Sequence, residues 1–399
     1  MKPRLLVISE RYSPENFLVN DLVAAWVKRG YRVSVLTQVP SYPADRPFKG
    51  YPNRHSLRLE DGVRVRRFRT VFGYKKSLAR KILNYAAFML RASWYGLFEI
   101  PRHDAVFVYH TGPLTQAMPL AMAKSLFHRR TVIWTQDVWP DTVFAYGFPS
   151  RGAFAVVLKA FVRFIYGSCD RVCVSSEGFV RRVKPHMGRG EAVFVPQWVP
   201  DSFLSALPAP FDFPPGPTRF IFTGNIGTMQ NLETVVRAFS RFGPEKAHLY
   251  VLGDGSRRGA AESLARELGC QNVSFLGSVT SDRVLACIRA CDYALLSLVD
   301  DPIINLTVPA KFQSYLAAGR PILAACKGEA RAMVEDEALG YGADPDDPEG
   351  IAAAIGRCLG TSPARYEEFG RNMGALLAAR YRKDAILDMF DSALGGARG

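Results

Sequence analysis

Short apolar runs alternate with amphipathic stretches along most of the chain. Residues 2–9 (KPRLLVIS) carry an apolar run without alternation, the pattern of a strand buried on both faces of a parallel sheet. A loop at 10–17 (ERYSPENF) precedes helical periodicity at 18–29, which stops at Gly30, a residue suited to a helix C-terminus. Residues 31–37 (YRVSVLT) read as the next strand. Strand, helix and strand in this order seed a doubly wound parallel sheet. Further strands are predicted at 105–109, 131–135 and 171–175. The pattern restarts with a strand at 219–223, a turn at 224–231 and a helix at 232–242. Strands at 248–252, 273–276, 293–297 and 321–325 follow, alternating with helices.

Between the two series lies a stretch with seven prolines, Pro196, Pro200, Pro208, Pro210, Pro214, Pro215 and Pro217. Proline fixes φ and removes a donor, so this stretch reads as a linker. The expected organisation is an N-terminal α/β domain at 1–199, a linker at 200–217 and a second α/β domain at 218–377. A last helical segment at 378–399 is open to packing back across the domains. Ligand sites are expected at the carboxyl ends of both sheets and in a cleft between the domains.

Charge changes this picture. Net charge is +14, yet residues 1–200 carry +18 and residues 201–399 carry −4. A basic first half calls for an anionic partner: nucleic acid, an anionic leaflet or a phosphorylated lipid. No nucleic-acid fold signature accompanies the basic residues. The seven cysteines form no C-x-x-C pair and have no histidine set beside them, so they read as small buried apolar residues in a reducing compartment. No secretory signal or spanning run is evident, and the expected location is cytoplasmic.

Four loops could carry chemistry. Thr223–Gly227 (TGNIG) follows a strand and opens a helix, so Gly224 permits close approach of a ligand to the backbone. It lacks the spacing of a dinucleotide-binding G-x-G-x-x-G or of a P-loop, which disfavours an oxidoreductase. Gly253-Asp254-Gly255 follows the next strand. In 308–321 (VPAKFQSYLAAGRP), Pro309 suits the first helical position and Gly319 the cap. Lys311 in that first turn opposes the helix dipole unless an anion joins it, which makes it a candidate diphosphate ligand. Gln136–Asp141 (QDVWPD) ends another strand, where Asp137 could hold sugar hydroxyls, or an Asp could serve only as a helix cap.

These segments resemble the retaining GT-B family 4 glycosyltransferases, and more narrowly the branch that builds O-antigen, capsule and exopolysaccharide repeat units, including fucosaminyltransferase-like members. The matching stretches are 11–23, 136–141, 223–235, 253–255 and 300–323, in family order. The resemblance implies a GT-B fold, two Rossmann-like domains facing a cleft. It implies a nucleotide-sugar donor on the C-terminal domain, an acceptor on the N-terminal domain, and no metal or other cofactor. A UDP-sugar is favoured over a GDP-sugar by family frequency, and the leaving phosphate is expected to take the acceptor proton. Carried onto this chain, the donor would meet Gly224, Asn225, Gln230, Gly253, Asp254, Lys311, Gln313 and Ser314. Asn16 would face the donor phosphate, and Asp137 would orient hydroxyls. Asn225 and Gln230 stand where the family has Arg and Lys, Leu306 and Ser314 where it has a pair of Glu, and Gln136 where it has His. A catalytically silent protein that binds nucleotide sugars or scaffolds a polysaccharide complex is therefore the alternative.

The stretch 64–98 is expected at a membrane interface. Arg64–Arg69 (RVRRFR), Lys75, Lys76, Arg80 and Lys81 precede 82–98, whose only charge is Arg91 and which carries Trp94, Tyr95 and Phe98 near its end. It is short and interrupted for a spanning helix and fits an interfacial one with basic flanks, or a core helix of the first domain. The expected acceptor is a lipid-diphosphate-linked glycan at the inner leaflet, with Arg80, Lys81, Arg91 and Trp94 on the membrane side.

Overall fold

The computed structural model describes residues 3–74, 77–204 and 207–395. The chain forms two compact units, one built from residues up to Pro196 together with those from Asp384 onward, the other from Gln197–Lys383.

The first unit contains strands β1 (Arg4–Ile8), β2 (Arg32–Gln38), β3 (Ser56–Glu60), β4 (Val63–Phe68), β5 (Ala105–His110), β6 (Arg130–Thr135), β7 (Arg171–Val174) and β8 (Glu191–Phe194). They form one sheet in the order β3-β4-β2-β1-β5-β6-β7-β8, parallel except for the β3–β4 pair. Its helices are α1 (Leu18–Lys28), α2 (Leu78–Glu99), α3 (Met118–Ser125), α4 (Asp141–Ala145), α5 (Gly152–Gly167) and α6 (Glu177–Val183). The strand order reverses between β1 and β5, which opens a crevice for a ligand at their carboxyl ends.

The second unit adds α7 (Asp201–Leu204), β9 (Thr218–Thr223), α8 (Leu232–Phe239), β10 (Ala247–Leu252), α9 (Arg258–Glu267), β11 (Val273–Gly277) and α10 (Ser281–Arg289). Then come β12 (Tyr293–Ser297), α11 (Lys311–Ala318), β13 (Ile322–Ala325), α12 (Gly328–Asp336), β14 (Gly340–Ala343), α13 (Pro348–Leu359) and α14 (Pro363–Arg380). The six strands are all parallel in the order β11-β10-β9-β12-β13-β14, with the reversal between β9 and β12. Phe220 and Phe222 of β9 join one core cluster and Ile221 joins the other, so both faces of the strand are buried. That two-sided burial is why the sequence shows an unbroken apolar run instead of an alternation.

Three details differ from the expectation. The change of unit falls at Pro196 and Gln197, and the proline-rich stretch belongs to the second unit. Phe203 is buried in that unit's core, with Phe211 and Phe213 packed against it, so apolar anchors hold a segment that prolines keep out of the sheet. The terminal segment is two helices, α14 and α15 (Lys383–Ala393), and residues from Asp384 return to the first unit. There Phe390 sits edge-on to Trp134 at 4.9 Å, Phe107 at 5.7 Å and Trp26 at 6.1 Å. Arg29 bonds Asp388 at 2.7 Å and Asp391 at 3.1 Å, and Tyr31 donates to Asp391 at 2.8 Å.

The stretch 64–98 also divides. Its first part is β4, an inner strand of the sheet. Arg67 is buried and bonds both oxygens of Glu60 at 2.6 and 2.8 Å and the Ser13 carbonyl at 2.7 Å. Arg64 and Arg66 lie 3.5 and 3.9 Å from Glu99. A basic run read as a flank is thus a strand whose cations have protein partners. Lys75 and Lys76 lie outside the described residues. α2 holds the rest: Asn84, Phe88, Ala92 and Gly96 are buried, while Ile82, Leu83, Leu90, Trp94 and Phe98 are exposed. Among the described residues no helix is long and apolar enough to cross a membrane.

Candidate active site

At the carboxyl edge of the second sheet, two glycine loops pack backbone against backbone. Gly224 (φ 110°) and Gly253 (φ 152°) hold conformations that other residues rarely adopt. A Cβ on Gly253 would overlap the carbonyl of Gly224, and one on Gly255 would overlap the backbone of Ile226. The loops are tied by Gly224 N–H to Leu252 O and Ile226 N–H to Asp254 O, both at 2.9 Å.

Lys311 opens α11 directly beside this loop. A Cβ on Gly224 would stand 3.8 Å from its Cε and Nζ. Its ammonium lies 3.7 Å from the centroid of the Phe222 ring, is buried, and has no hydrogen-bonding partner. Burial pushes its pKa down to about 7. An unpaired buried cation costs free energy, and an anion placed here would remove that cost. One turn on, the Tyr315 hydroxyl receives Thr223 N–H at 3.2 Å and donates to Leu295 O at 3.0 Å, which fixes α11 against β9 and β12.

The other expected donor residues divide by placement. Asn225 is exposed in the loop. Gln230 closes the same turn, its side-chain oxygen accepting Gly227 N–H at 2.9 Å and its carbonyl accepting from Ser297 at 2.6 Å. Asp254 is exposed, and its carboxylate accepts the N–H of Gly255 at 2.8 Å. Gln313 is buried, and with its amide assigned in the orientation that satisfies its neighbours, the nitrogen donates to Ala310 O at 3.0 Å and Pro309 O at 3.2 Å. Ser314 beside it is half-exposed.

The first unit presents a second polar edge. Thr135, the last residue of β6, donates its hydroxyl proton to the carbonyl of Asp137 at 2.8 Å. His110 Nδ1 lies 2.5 Å from that same hydroxyl oxygen. With the hydroxyl's one proton directed at that carbonyl, Nδ1 is assigned as the donor to Thr135 and Nε2 as the nitrogen carrying the lone pair. Nε2 is buried and without a partner. Burial holds the His110 pKa down at about 4, with the Gly112 carbonyl pulling the other way. Burial also raises Asp137 to about 6.

Where the strand order reverses, Glu10 follows β1 and faces the loop after β5, its carboxylate 3.5 Å from where a Cβ on Gly112 would stand. Its Oε1 is buried without a partner, as are the amide atoms of Gln38 and Nε2 of Gln116. Burial raises the Glu10 pKa to about 7; Arg11 and Lys81 oppose the shift and Glu15 adds to it. Glu10, Gln38, His110 and Gln116 were not singled out in the sequence. Glu10, Gln38 and His110 stand at or just beyond the ends of adjacent strands, which only the strand order reveals. Asn16 is exposed in the loop after β1. Its neighbour Glu15 is structural, accepting the N–H groups of Ser41 at 2.8 Å and Tyr42 at 2.6 Å and pairing with Arg11 at 3.0 Å.

Of the residues expected on the membrane side, Arg80 is exposed and donates to Phe72 O at 3.3 Å. Lys81 is exposed and lies 5.9 Å from the Tyr85 ring. Arg91 is fixed to Arg69 O at 2.6 Å, and Trp94 is exposed beside Phe98. All seven cysteines are free thiols, six of them buried.

Two family models match successive parts of the chain: a glycosyl transferase 4-like domain over residues 17–198 and glycosyl transferases group 1 over residues 217–361. The probable glycosyltransferase WbjE of Pseudomonas aeruginosa is 26% identical over 264 residues, which cover 64% of this chain and 66% of that protein. The putative colanic acid biosynthesis glycosyl transferase WcaI of Escherichia coli K12 is 24% identical over 333 residues, covering 79% of this chain and 81% of the relative. Among solved structures, the sucrose-phosphate synthase of Thermosynechococcus elongatus superposes with a TM-score of 0.73 at 16% identity, covering 98% of each chain. Anabaena HepE, solved with UDP and glucose, gives 0.66 at 13% identity, covering 98% of this chain and 99% of the other. At those identities the structural likeness establishes the fold.

Proposed function

Since this chain is a glycosyltransferase of the GT-B fold, we propose that it transfers a sugar from a UDP-sugar, with retention at the anomeric carbon, to a lipid-diphosphate-linked glycan. The reaction belongs, in this reading, to surface-polysaccharide assembly at the cytoplasmic face of the inner membrane. The observation that carries the proposal is Lys311, a buried ammonium without a partner beside two glycine loops at a sheet's carboxyl edge. A leaving diphosphate needs its charge met at a prepared place, and the Lys311 ammonium offers the opposite charge there. HepE, solved with UDP and glucose, supports a UDP-sugar, and WcaI, a putative colanic acid enzyme, supports exopolysaccharide assembly. The fucosaminyltransferase-like branch is retained as the narrower form of this reading.

The acceptor is assigned to the first unit. Asp137, His110 Nε2 and Glu10 offer acceptors for sugar hydroxyls at adjoining strand ends, and Gln38 and Gln116 offer amide donors. The acceptor oxygen bonds to the anomeric carbon as the bond from that carbon to the phosphate oxygen breaks. The departing phosphate takes the acceptor proton. The exposed stripe of α2, with Arg80, Lys81 and Trp94, is assigned to the inner leaflet, where it would bring the enzyme to its lipid-linked substrate.

The test is incubation of the protein with a panel of UDP- and GDP-sugars and membrane lipid extract. Release of UDP with labelling of lipid is the expected result. Tight UDP binding with no turnover of any donor would instead favour the silent, scaffolding protein suggested by Asn225, Gln230 and Ser314.

A further inference from the structure

The geometry points to a second lipid-binding element, α5, which we propose lays its outer face on an anionic bilayer beside the Asp137 loop. The inference deepens the membrane reading given for α2, from a different element and a different set of residues.

α5 packs inward with Ala155, Leu158, Val162, Ile165 and Tyr166. Its outward face is also apolar. Val157 is 68% exposed and Phe164 50%, and Phe154 and Val156 are exposed as well. Residues 153, 157, 160 and 164 fall on one stripe at helical spacing, and all are Ala, Val or Phe. A helix at the surface of a water-facing domain ordinarily turns polar residues outward, and this one does not.

Charge identifies the occupant. Residues 142–169 contain no Asp or Glu, while Arg151, Lys159 and Arg163 supply three cations. Lys159 and Arg163, one turn apart, are exposed along one border of the stripe. An apolar stripe with cations along one border and no acidic residue in its own segment complements a bilayer with anionic headgroups: the stripe enters the acyl boundary and the cations meet phosphates. Residues 62–98, which include all of α2 but its last residue, the buried Glu99, are likewise free of acidic residues. Both helices pack on α3, so their outward faces belong to one helical layer of the unit.

The element is joined to the site. On its inner side, Tyr166 reaches the Thr135 hydroxyl at 3.5 Å, the group that donates to Asp137 O. The loop that leads into α5 carries Tyr146 and Phe148, both exposed, and Phe148 stacks on Phe154 at 5.9 Å. Burial raises the pKa of the Tyr146 phenol, and the nearby Asp137 charge adds to the shift. Lipid contact along 146–164 would therefore set the Asp137 loop at headgroup depth, where the diphosphate and first sugars of a lipid-linked acceptor lie.

The test uses the full chain and flotation with vesicles of phosphatidylcholine containing phosphatidylglycerol, and with pure phosphatidylcholine. Wild type is expected to float with the anionic vesicles. V157E/F164E is expected to lose about tenfold or more in partitioning while binding UDP as wild type does. Should that variant melt early, V157S/F164S repeats the comparison. Undiminished flotation of the α5 variants overturns the inference, and L90E/W94E on α2 then shows whether the membrane reading survives alone. No flotation of wild type ends both membrane assignments, while donor turnover judges the transferase reading separately. A variant that floats normally but loses a self-associated species in sedimentation would show the face to be a contact between copies, which also overturns the inference.

Discussion

The ammonium of Lys311 stands 3.7 Å from the centre of the Phe222 ring and bonds to nothing else. A ring face is a weaker partner for a buried cation than a phosphate oxygen, so the pair holds the lysine in place at a cost that an anionic ligand relieves.

Replacing Lys311 by Met keeps the apolar stem and removes the charge. A hydrogen bond to a charged group is worth about 1.5–3 kcal/mol, so UDP affinity should fall roughly ten- to a hundredfold. The melting temperature of the ligand-free protein should hold or rise, because an unpaired buried charge is gone. Calorimetry and thermal melting read the two effects, and unchanged affinity would remove Lys311 from the diphosphate site.

The depressed pKa of Lys311 gives binding a proton signature. Free, the group titrates near 7 against 10.5 in its ordinary state. An anion beside the ammonium raises the pKa, so UDP binding above about pH 7 must take up protons. Titrations at about pH 8 in buffers of different ionisation enthalpy should show that uptake in wild type and not in K311M. In the empty protein the sign follows the same rule. The unfolded chain holds this proton between about 7 and 10.5 and the folded one does not, so the lysine's penalty shrinks as pH rises through that window.

Glu10 behaves oppositely. Its folded pKa is raised from 4.5 to about 7 by burial, so the folded state binds the extra proton in between, and its contribution worsens as pH climbs from about 4.5 to 7. Glu10→Gln should therefore stabilise the protein at about pH 8 more than at about pH 5, read by denaturant titration at the two pH values. Equal effects at both would mean that water or an ion already satisfies the carboxylate.

Asp137→Asn tests the acceptor edge. UDP affinity should stay within about twofold, while transfer to lipid acceptor falls about a hundredfold, the scale of a group that acts on the reacting hydroxyl. A parallel fall in UDP binding would place Asp137 in the donor's site instead.

Phe390→Ala removes a ring that fills the space between Trp26, Phe107 and Trp134. The cost should be about 3–5 kcal/mol, confined to the unfolding transition of the first unit. Denaturant unfolding followed by tryptophan fluorescence checks it, since Trp26 and Trp134 report on that unit. A shift of under about 1 kcal/mol would show that the helix is only loosely seated.

Much of the fold was readable because parallel strands buried on both faces leave unbroken apolar runs, as in 5–8 and 220–222. The hairpin of β3 and β4 was not, because its half-exposed strands carry arginines that read as a surface flank until Glu60 and Glu99 are seen beside them. Lys311 and Gly224 could be found from position alone, since a helix start and a left-handed glycine are local features. The grouping of Glu10, Gln38 and His110 could not, because it comes from strand order, which brings together residues far apart in the chain. α5 escaped for a simpler reason. A helix apolar on both faces reads as core, and only exposure shows that one face has no protein over it.

The return of residues beyond Asp384 to the first unit bears on how the chain is made. Domains fold as units while synthesis proceeds from the N-terminus. The second unit is one continuous segment and can close as soon as its last strand and helices emerge. All eight strands of the first unit precede the second unit in the chain, yet the aromatic pocket of Trp26, Phe107 and Trp134 waits for Phe390, which is made only after the whole second unit. Of the two units, the one whose strands emerge earlier is the one completed later, and until then its aromatic core is open to chaperones and to other chains.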